Sequence, residues 1–71
     1  MRIEARIIEV LVATINETSC KYAFKVEYRI AYEGREGRWL FHSIHPDRDI
    51  AEYVKNGIED QSIPVLYVRP L

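Results

Sequence analysis

A chain of 71 residues has room for one domain, which excludes separate cofactor-binding and substrate-binding halves. Hydrophobic residues at 48% and charged residues at 30% describe a globular chain rather than a disordered one. Ten basic against eleven acidic residues leave a net charge of −1, which argues against binding nucleic acid mainly through phosphate contacts.

The lone Cys20 cannot form an internal disulfide, so a reducing compartment is the simplest home. Met1 to Arg6 carries charges where a secretory signal would begin its apolar stretch. The most apolar run, Ile7 to Ile15, is too short to span a bilayer. The expected location is the cytoplasm. With no disulfide and no evident structural metal, a single domain over 1–71 needs tight packing or self-association for its stability.

Residues 2–15 hold Ile3, Ala5 and Ile7 in one alternating register and Ile8, Val10 and Val12 in the other. This predicts a strand apolar on both faces, with a bulge or bend at Ile7-Ile8. After the polar turn Asn16 to Ser19, the residues Tyr22, Phe24, Val26, Tyr28, Ile30 and Tyr32 alternate with polar or small ones. That is a long antiparallel strand with one core face and one wet face. Glu33 to Gly37 form a turn with two glycines available for positive φ. A third strand follows over Arg38 to Ile44 and ends at His45-Pro46. Asp47 or Asp49 caps a short helix, with Ile50, Tyr53 and Val54 as its apolar stripe and Asn56-Gly57 as its stop. A fourth strand is expected over Ile63 to Arg69, with Pro64 at its start or on an edge. The expected fold is α+β and β-rich, in the order β-β-β-α-β: a curved four-stranded antiparallel sheet or half-open small barrel with one short helix.

His42-x-x-His45-Pro46-Asp47-x-Asp49 is the one cluster of ligand-type side chains. An i, i+3 pair in a regular strand points to opposite faces, and no third His exists, so no metal is expected. Cys20 has no evident base, and Gly34-Arg35-Glu36-Gly37 lacks the helix that a phosphate loop requires. No catalytic residue and no cofactor are assigned, and the expected protein is not an enzyme.

Aromatic residues concentrate between Tyr22 and Phe41, with Lys25, Arg29, Arg35, Arg38 and His42 among them. Strict alternation assigns Tyr22 to Tyr32 to the core. Trp39 and Phe41 depend on the hairpin. A turn tipped at Arg35-Glu36 pairs Tyr32 with Trp39 and Ile30 with Phe41, which sends both inside; this register is preferred because it buries the bulkier pair. A loop over Glu33 to Gly37 pairs Ile30 with Leu40, which leaves Trp39 and Phe41 exposed beside Arg29 and puts Leu40, His42 and Ile44 inside. The candidate partner-binding residues are therefore Arg29, Arg35, Arg38, Trp39, Phe41 and His42.

Val26-Glu27-Tyr28-Arg29-Ile30-Ala31-Tyr32-Glu33-Gly34 and the closing Ile63-Pro64-Val65-Leu66-Tyr67-Val68-Arg69-Pro70 resemble an uncharacterised bacterial family of small β-domains often found beside membrane spans. Its members carry a Val-x-Tyr-x-hydrophobic-x-Gly strand-turn and a Val-x-Tyr-x-x-Pro closing strand, and the likeness extends from Ala5 to Pro70. This chain departs from the family in having no membrane segment and in showing Val68-Arg69-Pro70 where the family has Asp before Pro. The resemblance implies a β-rich fold and no activity.

These features together predict a small non-enzymatic interaction protein that docks on a protein partner or on itself, as a homodimer with residues 7–15 at or near the interface. The alternative is single-stranded nucleic-acid binding through an aromatic and basic sheet face. A metal- or Cys-dependent enzyme is the remote third reading. No membrane partner is expected.

Overall fold

The computed structural model describes residues 1–16 and 19–65 of the chain. Strands β1 (Arg2–Asn16) and β2 (Ser19–Tyr32) form a long antiparallel hairpin. The short β3 (Arg35–Glu36) and β4 (Leu40–His45) both pair with the other side of β2. Helix α1 (Arg48–Glu59) follows. The fold is α+β and β-rich, a four-stranded antiparallel sheet with one helix, and the sheet is open rather than closed into a barrel.

Four details differ from the sequence-based expectation. The fourth strand precedes the helix, because the third expected strand is split in two at Gly37 to Trp39. Of the expected strand Ile63 to Arg69, residues 63–65 carry no strand pairing and the remainder lies outside the described residues. The ladder through Ile7↔Val26 and Ile8↔Lys25 is unbroken, and the irregularities of β1 fall later, between Leu11 and Ala13 and between Thr14 and Asn16. The apolar doublet Ile7-Ile8 needs no bulge, because Ile7 turns to the core while Ile8 lies with its partner Lys25 on the other face.

The helix is the fourth difference. Asp47 caps it, accepting a hydrogen bond from the Asp49 backbone N–H at 2.9 Å. The buried stripe is Ala51, Gly57 and Ile58 with Val54 beside it, whereas Ile50 and Tyr53 face outward and Tyr53 is 74% exposed. The small residues Ala51 and Gly57 set this phase, since they let the helix approach its neighbours closely. Gly57 is a helix-interior residue and not the stop: a Cβ there would lie 2.6 Å from Ile63 Cγ1. The chain leaves the helix at Asp60, and Gln61 takes the left-handed conformation at φ 67° that a glycine would normally fill.

The core lies between α1 and one face of the β1–β2 hairpin. Ala5, Val26, Tyr28, Ala51 and Ile58 are buried, with Ile3, Ile7, Phe24, Ile30, Val54, Ile63 and Val65 packed against them. The register Ile3↔Ile30, Ala5↔Tyr28 and Ile7↔Val26 places one apolar set from each strand on this face. The distal arm of the hairpin runs beyond that cover, and Leu11 and Val12 are 57% and 54% exposed. The radius of gyration is 14.4 Å, against about 11 Å for a compact domain of this length.

Candidate functional site

The sheet face opposite the helix carries the charged half of each strand's alternation. On β1 these are Arg2, Glu4 and Arg6; on β2 they are Lys25, Glu27 and Arg29. The antiparallel register sets Glu4 opposite Arg29 and Arg6 opposite Glu27, so each cross-strand pair joins opposite signs. Glu4 Oε2 accepts from Arg29 Nε at 3.0 Å and from Arg29 Nη2 at 2.8 Å, and Glu4 Oε1 lies 2.6 Å from Arg2 Nη2. Glu27 Oε1 accepts from Arg6 Nε at 2.9 Å and lies 2.7 Å from Arg6 Nη2, while Lys25 Nζ is 3.4 Å from Glu27 Oε2. Glu36 of β3 extends the network through Arg29 at 3.1 Å.

Trp39 lies over this ladder. The Arg6 guanidinium carbon is 4.1 Å and that of Arg29 4.6 Å from the ring centroid. Both distances are in cation–π range. The hydrogen bonds from Arg29 hold the Glu4 carboxyl below its ordinary value of 4.5, and those from Arg6 do the same for Glu27.

Neither expected hairpin register is present. Glu33 and Gly34, with φ of 52° and 77°, form a two-residue turn that pairs Tyr32 with Arg35 and Ala31 with Glu36. After the break at Gly37 to Trp39, Leu40 pairs with Tyr28 and Phe41 with Glu27. The preferred register, with its tip at Arg35-Glu36, is therefore corrected. Trp39 and Phe41 are not core residues, and Phe41 is 60% exposed on the charged face. A bulge at His42 then reverses the alternation, so that Ile44 pairs with Lys25 and is exposed as well.

Of the six candidate residues, Arg29, Trp39 and Phe41 come together on this face. Arg35 and Arg38 are exposed in the β3 turn region and form no ion pair among the described residues. His42 belongs to a separate group: Ser43 Oγ lies 2.9 Å from His42 Nδ1 and 2.8 Å from His45 Nε2, and the His42 ring meets the Tyr28 ring edge-on at 6.2 Å. The bulge brings the two imidazoles to one hydroxyl, which a regular strand would forbid. A hydroxyl has one hydrogen, so at least one of the two imidazoles donates to it, and the tautomers set which. No group of three His, Cys, Asp or Glu side chains that could hold a metal gathers among the described residues. A cavity of about 330 Å³ is lined by Met1, Arg2, Ala31, Glu33, Gly34 and Glu36, away from both imidazoles. Asp47 and Asp49 serve the helix start.

Sequence reasoning missed Arg2, Glu4, Arg6 and Glu27 as site members. Their signal was present as period-two sign alternation on both strands, which a hairpin register brings into opposition. No known protein family matches the chain, and no curated protein or solved structure gives a significant match.

Proposed function

We propose that this is a non-enzymatic interaction module that docks through β1 and the apolar residues around it, on a protein partner or on a second copy, in a reducing cytoplasm. One observation carries the reading. β1 is a sheet-edge strand, paired on one side with β2 and on the other with no strand among the described residues, and its distal half presents Leu11 and Val12 to solvent. Unpaired edges and clustered exposed apolar side chains favour association. Two-fold self-pairing covers the same patch twice, which makes a homodimer with residues 7–15 at or near the interface the simplest assembly.

The nucleic-acid alternative has weaker support. Of the cations that would meet phosphates, Arg29 and Lys25, with Arg6 beside them, are neutralised by Glu4, Glu27 and Glu36, which leaves Arg35 and Arg38 without an ion pair among the described residues. The indole that would stack on a base already carries two guanidiniums.

Val10 tests the docking reading, because it is half-buried on the open face of β1 opposite Ala23. Val10→Lys is expected to give a folded protein by circular dichroism with the light-scattering mass of one chain, where the unmodified protein has twice that mass. A Val10→Lys protein that keeps the doubled mass contradicts an interface at residues 7–15.

A further inference from the structure

The outer edge of β1 has a charge pattern that restricts how a second copy can add to it, and the inference rests on the self-docking reading above. Regular pairing of β1 with β2 runs from Arg2 to Leu11 and is interrupted beyond that point. Bulges turn an edge away from strand addition, which confines such addition to residues 1–11. This stretch contains no proline and no lysine, the residues that commonly protect an edge.

Ile3, Ala5 and Ile7 lie on its core face, and Arg2, Glu4 and Arg6 on its charged face. A partner strand must set like face against like face. When a strand pairs antiparallel with itself about a two-fold axis, the residue at the axis fixes every other pair. Centring on Glu4, Arg6 or Glu9 opposes like charges. Centring on Ile7 or Ile8 sets Glu4 against Val10 or Val12 and Arg6 against Ile8 or Val10, so no new pair of opposite charges forms. Centring on Ile3 pairs only residues 1–5, and centring beyond Glu9 runs into the bulge. Centring on Ala5 pairs residues 1–9, sets Ile3 against Ile7, and sets Glu4 against Arg6 twice.

We propose that a second copy of this chain adds antiparallel to β1 with Ala5 on the two-fold axis. Each charged row then reads Arg29, Glu4, the partner's Arg6 and the partner's Glu27, so the alternation of sign seen within one hairpin continues across four strands. On the other face Ile3, Ala5 and Ile7 of both copies form one apolar strip beside the two helices. Each distal arm projects past the partner's first residue, which puts Val10 beside the partner's amino terminus, so Val10→Lys sets a cation against that terminus in both halves of the dimer.

Two double variants test the register while keeping the cross-strand pair that each one swaps, Arg6–Glu27 or Glu4–Arg29, opposite in sign. Arg6→Glu with Glu27→Arg leaves glutamate at both 4 and 6; Glu4→Arg with Arg29→Glu leaves arginine at both. Each alone opposes like charges in the Ala5-centred dimer, and its dissociation constant in sedimentation is expected to rise about tenfold or more. An equimolar mixture restores both Glu–Arg pairs and is expected to recover a heterodimer of near-native affinity. Should either variant fail to fold, Glu4→Cys and Arg6→Cys proteins in a Cys20→Ser background are expected to cross-link with each other faster than with themselves. If the unmodified protein dimerises but each variant alone does so equally well, or if the cysteine variants show no such preference, the register is wrong and self-docking stands. If the unmodified protein is monomeric, both fall, and the edge is left to another partner or to the chain's own residues after Val65.

Discussion

At Trp39 the indole lies against two guanidiniums, each already bonded to a carboxylate. A guanidinium presents its edge to an oxygen and its face to a ring, so one arginine serves both contacts, which lysine could not do. The half-buried ladder is therefore a structural unit as well as a surface, and it has a pH signature. The folded-state values of Glu4 and Glu27 are lowered, so their contribution is present above the ordinary carboxylate value and is lost as pH falls through the lowered ones. Denaturant midpoints should drop between about pH 5 and pH 3, and Glu27→Gln should flatten that slope. Equal slopes in the two proteins would show that the Arg6–Glu27 pair does not couple to folding. On the other face, Tyr28 is 4% exposed in the centre of the core. Tyr28→Ala is expected to cost about 3–5 kcal/mol in equilibrium unfolding. A loss below about 1 kcal/mol would place that face of β2 outside the core.

The elements differ in how much of them the sequence made legible. β2 is plain because its alternation is strict, and the split of its residues between the core and the charged ladder follows it through Phe24 to Ile30. β1 is legible as a strand, but its irregularities depend on pairing with β2 rather than on its own pattern. The β3–β4 region departs from its sequence pattern for a physical reason. Burying Trp39 and Phe41 is the better choice for an isolated hairpin, yet the chain takes the tight Glu33-Gly34 turn, breaks at Gly37 and bulges at His42, which together place both rings with the arginines. Gly37 approaches the Ile30 carbonyl so closely that a Cβ would lie 2.9 Å from its oxygen, so the break has a local cause. At the helix, Asn56-Gly57 imitates a stop, but Gly57 is selected by the Ile63 side chain rather than by its own φ. Gly57→Val is expected to destabilise the fold by about 1–3 kcal/mol through overpacking. Adding Ile63→Ala should recover part of that loss in the melting temperature. A melting temperature unchanged by Gly57→Val would remove the close contact from the account.

At the scale of the whole molecule, the hairpin is longer than one helix of 12 residues can cover. Among the described residues, the chain gathers its core under α1 and leaves the arm, the β1 edge and the Phe41–Ile44 side of the charged face open. Among the described residues no helix is long and apolar enough to cross a membrane. A small domain with such surfaces gains stability when a second copy covers them, so folding and association are expected to be linked, with a melting temperature that rises with protein concentration. The most direct measurement is sedimentation equilibrium of the unmodified protein across a dilution series through the micromolar range. Self-docking predicts a mass of twice 8.4 kDa that falls toward 8.4 kDa only on dilution. A mass of 8.4 kDa at every concentration would contradict it.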